Sequence, residues 1–313
     1  MKKSFLYTFS FSVLIIASCS KKSTSDPTDI IKTVILSYSP AEVANSFKNL
    51  TGYNLVVTYD SQYAYIKSTG LPTHKIMKGI TGWNSQTAVP YAITMKIPVK
   101  AQFATTPTAH LVDGPIAIAV NGIPIFEPTK QGANYTDAGD PLIQGELDSC
   151  GGHCGRGDDY HYHIAPLCIM NNLTPSQPVA WALDGFPIFG FKEVDGTTLN
   201  KSSLDTLMGH TFQNNYHYHT STTRPYINKG FKGTLQTNIL PTVPSIRPTG
   251  AVIKTLITDY YNDVNGWTVL KYQKNGGIAQ MNFRLKSGST TCYDFVEINE
   301  LGVTTNTSSA CRQ

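Results

Sequence analysis

Charge is scarce in this chain. Asp, Glu, Lys and Arg make up 15% of its 313 residues, the formal net charge is only +4, and no basic stripe runs through it. The electrostatic footprint that nucleic-acid binding requires is therefore missing. Removing Lys2 and Lys3 with an N-terminal export segment would lower the charge from +4 to +2. There is no Gly-x-Ser-x-Gly elbow, no His-Glu-x2-His pair and no phosphate loop, which disfavours a serine hydrolase, a zinc protease of that type or a nucleotide enzyme. The apolar run from Phe5 to Ile16 is interrupted by hydroxyls and too short to cross a bilayer comfortably. What the chain does have is Gly 25, Pro 18 and Tyr 17, a composition that favours turns and strands over helices.

The N-terminus reads as an export signal. Lys2 and Lys3 precede the apolar run, which ends in Ile16-Ala17-Ser18-Cys19. A cleavage box closing on cysteine is the pattern of a bacterial lipoprotein signal, with Cys19 becoming the acylated, palmitate-bearing first residue of the mature chain. The polar tether that follows carries no acidic block, so the expected anchor is in the outer membrane facing the periplasm. That compartment is oxidising and permits disulfides. Of the remaining five cysteines, Cys292 and Cys311 are isolated in the C-terminal segment and pair most simply with each other. Cys150 with Cys168 would clamp the segment between them and leave Cys154 as a free thiol; Cys154 as a metal ligand or another pairing also fits the spacing.

Ser39-Pro40-Ala41-Glu42 is a capping box with proline at the first helical position, and Gly52 follows the run to Leu50 as a stop. Beyond this helix the pattern is of strands: 55–59, 63–66, 91–99, 116–120 and 179–183. The last two are wholly apolar, as strands buried on both faces are, and each leads into an Asn-Gly or Asp-Gly turn. Pro241, Pro244 and Pro248 mark a linker. After it, runs at 251–258, 267–273, 278–285 and 292–298 read as a small β-module, with Asn275-Gly276-Gly277 turning the middle pair into a hairpin.

Half of the eight histidines lie in two copies of one string, Tyr160-His161-Tyr162-His163 and Tyr216-His217-Tyr218-His219. On a strand, alternation puts two imidazoles on one face and two phenols on the other. The strings belong to a longer echo. Leu147-Asp148-x3-Gly152-His153 precedes the first as Leu204-Asp205-x3-Gly209-His210 precedes the second, and Asn121-Gly122-Ile123-Pro124-Ile125-Phe126 is answered by Asp184-Gly185-Phe186-Pro187-Ile188-Phe189. A repeat of roughly 60 residues implies two halves about a pseudo-twofold axis rather than a solenoid.

Each half thus offers three imidazoles: His153, His161 and His163, then His210, His217 and His219. Imidazole nitrogen suits zinc, copper, nickel or iron, and three protein ligands leave a position open, as exchangeable and catalytic sites do. Asp148 and Asp205 could orient an imidazole through its second nitrogen, or cap a turn. Each half could hold its own ion, or the patches could face one another and share. In the competing reading the imidazoles bond neighbouring carbonyls with no metal, and Tyr and Trp supply a stacking surface for polysaccharide or protein. His74 fits a turn and His110 a solvated loop.

These strings resemble the YHYH domain family. The resemblance runs from about Tyr63 to Gly233 through Ile66-Lys67-Ser68-Thr69-Gly70-Leu71-Pro72-Thr73-His74, Asn121-Gly122-Ile123-Pro124, both Tyr-His-Tyr-His strings and Arg224-Pro225-Tyr226. It implies a bacterial secreted or lipid-anchored protein and brings no settled activity with it. Leu207-Met208 stand where the family pattern often has a cysteine before the second Gly-His, so a disulfide there is absent or rewired.

The expected organisation is a mainly β protein: signal peptide 1–18, polar tether 19–30, a duplicated β-rich domain with its N-terminal helix over 31–240, a Pro-rich linker 241–250 and a C-terminal β-module 251–313. The expected function is binding of a divalent transition metal, zinc or copper, by the six histidines of a membrane-anchored protein. Any enzymatic activity would be metal-assisted hydrolysis or redox chemistry.

Overall fold

The computed structural model describes residues 38–48, 55–109, 114–130, 135–235, 245–248 and 250–312. The signal segment with Cys19, the tether, Gly52, His110, Pro241 and Pro244 lie outside the described residues. Strands dominate, and α-helix among the described residues is confined to Pro40–Ser46 and Leu167–Met170. None is long and apolar enough to cross a membrane.

The centre is an eight-stranded sheet. Its strands are β1 (Pro115–Ala119), β2 (Pro124–Phe126), β3 (Gly152–Cys154), β4 (Tyr160–Tyr162), β5 (Ala180–Ala182), β6 (Pro187–Phe189), β7 (Gly209–Phe212) and β8 (Asn215–His219). The apolar strands β1 and β5 pair antiparallel in the middle, with Ile118 opposite Trp181. Both are buried throughout, which is why their sequences show no alternation.

Outward from this pair the order is the same on either side. β1 forms a hairpin with β2, β2 runs parallel to β4, and β4 pairs antiparallel with β3. On the other side β5, β6, β8 and β7 follow in the same sense. Gly122 and Gly185 make the two central turns at φ +78° and +89°, where a β-carbon would run into Leu55 or the Pro98 carbonyl.

The capping box at Ser39 and Glu42 forms as the sequence predicts. The helix it starts ends at Ser46, whose hydroxyl accepts from Trp181 Nε1 at 2.8 Å and so docks the helix on the central sheet. A five-stranded antiparallel sheet of Ile257–Asn262, Thr268–Lys274, Gly277–Leu285, Cys292–Ile298 and Thr304–Cys311 closes the chain. Its inner face shares the main core through Ile257, Leu270, Tyr272, Ala279 and Met281. Cys292 pairs with Cys311, and Cys150 with Cys168.

Two arginines carry this packing towards the first histidine string. Arg247, in the described end of the Pro-rich stretch, donates to Asp158 Oδ1 at 2.7 Å, and Arg312 donates to the Gly157 carbonyl while lying over the Tyr91 ring. Asp158 is fully buried and also receives the Thr87 amide. Removing a partner from such a carboxylate leaves a buried charge uncompensated. Arg247→Ala is therefore expected to destabilise the fold by about 3 kcal/mol, read as a lowered urea midpoint; an unchanged midpoint would show that the pair is dispensable.

Candidate metal centres

Each Leu-Asp-x3-Gly-His…Tyr-His-Tyr-His signature is one β-hairpin. In the first, Asp148 Oδ1 accepts the amides of Cys150 and Gly152, and Oδ2 accepts the Tyr160 hydroxyl at 2.9 Å and the Met77 amide. In the second, Asp205 Oδ1 accepts the amides of Leu207 and Gly209, and Oδ2 accepts the Tyr216 hydroxyl at 3.0 Å. These aspartates secure turns and tyrosines; the hydrogen bonds that orient His161, His163, His217 and His219 come from main-chain carbonyls, and His210 Nδ1 meets Ser203 Oγ at 3.0 Å. The glycine before each histidine is where the tyrosine crosses. A β-carbon on Gly152 or Gly209 would lie 2.6 or 2.2 Å from the hydroxyl oxygen of Tyr160 or Tyr216.

The second tyrosine of each string also points away from the imidazoles. Tyr162 bonds His74 Nε2 at 2.8 Å and Asn121 Nδ2 at 3.0 Å, and Tyr218 donates to Asp184 Oδ2 at 2.6 Å. Strict alternation thus holds, and both phenols are structural. His74 lies beside the Cys150–Cys168 bridge, its Nδ1 3.2 Å from Cys150 Sγ. Cys154 is buried and unpaired, 3.4 Å from Met77 Sδ, and burial pushes its thiol well up.

On the other face the histidines converge. His153 and His161 are cross-strand partners in the first hairpin, as His210 and His217 are in the second. At the first centre His153 Nε2 lies 3.0 Å from His163 Nε2, and His161 Nε2 lies 3.1 Å from the same atom. Around an ion at a metal–nitrogen distance of about 2.05 Å, that spacing corresponds to angles of roughly 95°, a compact facial set. Phe126 stacks on His161 with ring centroids 3.9 Å apart.

At the second centre His217 and His219 bring their Nε2 atoms to 3.0 Å, and a carboxylate joins them. Glu193 places Oε1 3.3 Å from His210 Nε2, and Oε2 3.8 and 3.6 Å from His217 and His219 Nε2. Glu193 was not singled out in the sequence because its counterpart position in the first copy, four residues past Phe126, is Lys130. Comparing the copies hides it.

The outer nitrogens fix the tautomers. His161 Nδ1 faces the Asp159 carbonyl, His163 that of Glu127, His217 that of Asn215 and His219 that of Gly190, at 3.0, 2.5, 3.1 and 2.9 Å. A carbonyl only accepts, so each Nδ1 carries the proton, and in a neutral ring the Nε2 lone pair is left pointing inward. Glu193 Oε2 and His210 Nε2 are buried with no hydrogen-bond partner. Orphaned groups of this kind are costly unless a cation lies between them. The residues therefore fit a metal at both centres, by the same test of donor chemistry and by unsatisfied atoms at the second.

The two sets lie in opposite halves of the sheet. Five strand spacings separate β4 from β8, on the order of 20 Å, so neither centre can share an ion with the other.

Residues 94–203 match the family model described as YHYH protein. Over these residues the chain carries a YHYH domain. No curated protein and no solved structure gives a significant match to the chain. The matched YHYH segment includes the first string and Glu193, and it stops short of His210, His217 and His219.

Burial, reinforced by the neighbouring imidazoles, drives His163 and His217 down to about 3 and His153 well below its ordinary value. An unfolded chain would protonate these rings near 6.5. The unfolded state therefore binds more protons between about 6.5 and 3, and the histidines destabilise the metal-free fold as pH falls through that window. Burial raises Asp148 and Asp184 to about 6, and these act in the opposite sense between about 6 and 4. The discriminating observable is therefore the ring itself: in metal-free protein, the His163 and His217 resonances should not titrate from pH 8 to 4, and a midpoint near 6.5 would refute the buried, neutral assignment.

Proposed function

We propose that this is a lipid-anchored extracytoplasmic protein that binds two divalent transition-metal ions, zinc or copper, one in each histidine centre. The observation that carries the reading is the convergence of inward-pointing Nε2 lone pairs while main-chain carbonyls occupy the outer nitrogens. Lone pairs at 3.0 to 3.1 Å repel one another unless a cation or proton lies between them. Burial disfavours the proton, and neutral imidazole is the form that ligates metal.

A surface-binding module with structural histidines has less support. Trp83, Trp181 and all four tyrosines of the two strings are buried, so they offer no platform for a glycan or a partner protein.

Metal analysis of tag-free protein should find two ions per chain. The pair His161→Ala with His163→Ala should lower this to one, and so should His217→Ala with His219→Ala. Metal content that survives both pairs of changes together would remove the assignment.

The location rests on Ile16-Ala17-Ser18-Cys19, the basic start and the polar tether. In a bacterial host the full chain should label with palmitate and fractionate with the outer membrane. Cys19→Ser should abolish the label and release the protein from the membrane-extracted fraction; retention of label would exclude Cys19 as its site.

A further inference from the structure

The two centres are built from the same strings but present different charge to an ion. Four residues beyond Phe189 stands Glu193, and four beyond Phe126 stands Lys130. The register between the halves holds in three dimensions. The carbonyl one residue past Phe126, that of Glu127, accepts from His163 Nδ1, and the carbonyl one past Phe189, that of Gly190, accepts from His219 Nδ1. Lys130 thus occupies in the first half the chain position from which Glu193 reaches the second centre.

The ammonium of Lys130 lies 2.5 Å from Glu146 Oε1. Among the described residues, no carboxylate shares ligand spacing with all of His153, His161 and His163, since Asp159 Oδ2 meets only the outer nitrogen of His161 at 3.3 Å, whereas Glu193 does so with His210, His217 and His219. Three neutral imidazoles leave the full charge of a divalent ion uncompensated; three imidazoles and a glutamate remove one unit of it. Four protein donors close a tetrahedral shell, and three leave a position for an outside ligand.

We infer that the first centre is the exchangeable one: its ion takes a small oxyanion from solution as fourth ligand, with Lys130 as the adjacent positive charge, while Glu193 closes the second centre. The inference rests on the metal reading above. The chemistry required is an oxygen donor of carboxylate or phosphate type, small enough to reach the ion between the three imidazoles and Lys130. The Glu146 partner keeps Lys130 from adding an unbalanced charge beside the metal when no anion is bound.

Cobalt(II) separates the two claims, because its visible absorption responds to a change in ligand number and type. Cobalt uptake is measured first, on the wild-type full chain and on the two double-histidine variants that leave one centre each. Failure of cobalt to bind would overturn the metal reading and this inference together. With cobalt bound, acetate and phosphate are titrated separately, which distinguishes a carboxylate from a phosphate source.

The expected result is a saturable spectral shift at the first centre and none at the second. Lys130→Met should weaken the anion response roughly tenfold, the scale of one lost charge-assisted hydrogen bond. Lys130→Glu should abolish the response while cobalt is retained, in the wild-type background as well as with the first centre alone. The wild-type background keeps the test independent of variants that fail to fold. A response at both centres, or none at the first with cobalt bound, would overturn the inference.

Discussion

A tyrosine hydroxyl delivered onto a buried or half-buried aspartate holds each half of the central domain together. Tyr160 on Asp148 and Tyr216 on Asp205 tie the end of each hairpin back to its own turn. The same carboxylates gather the turn amides. Because side chains alternate along a strand, fixing the tyrosines on one face fixes the histidines on the other. Nothing in the imidazole set needs to supply its own rigidity. Backbone carbonyls orient four of the six rings and the Ser203 hydroxyl meets a fifth, His210, while the tyrosine–aspartate lock positions the backbone that carries them.

That division explains which parts of the molecule were legible in the sequence. The helix start at Ser39 could be read from its capping box. The buried strands around Ile118 and Trp181 could be read from unbroken apolar runs, and the hairpin at Asn275-Gly276 from its turn pair, with φ of 48° and 81° at these residues. The Cys292–Cys311 bridge was the simplest pairing of two isolated cysteines, whereas Cys150–Cys168 was one of several pairings that the spacing of Cys150, Cys154 and Cys168 allowed. The strands Phe103–Ala109 and Thr304–Cys311 were not legible, because they are largely exposed and rich in Thr, Ser and Asn, so no apolar alternation marks them. The split of 251–258 into Ile253–Lys254 and Ile257–Asn262 likewise has no local signal.

At the site, the six histidines were visible through repetition, since a string that recurs with the same upstream Leu-Asp-x3-Gly-His stands out from a single chelating pair. Their orienting partners were not visible. Main-chain carbonyls have no residue identity, and the acceptors at Glu127, Asp159, Gly190 and Asn215 could have been any residue. Glu193 stayed hidden for the opposite reason: searching for what the copies share passes over what they do not.

Where the two halves differ, they differ in charge. Asn121 and Asp184 occupy the same place in the repeated hairpin turn, and each meets the second tyrosine of its own string, Asn121 donating to Tyr162 and Asp184 accepting from Tyr218. Lys130 and Glu193 are the other exchanged pair. Both replacements make the second half more acidic, one behind its tyrosine and one against its imidazoles. The first half is braced differently, by the Cys150–Cys168 bridge, His74 and the arginines that hold the Gly157–Asp158 loop. Rigidity at the first centre comes from covalent and loop packing around a donor set that lacks an anion. At the second centre the carboxylate belongs to the donor set itself. A scaffold with one repeated hairpin thus carries two donor sets of different charge, and it is this difference, more than the shared histidines, that sets the two halves apart.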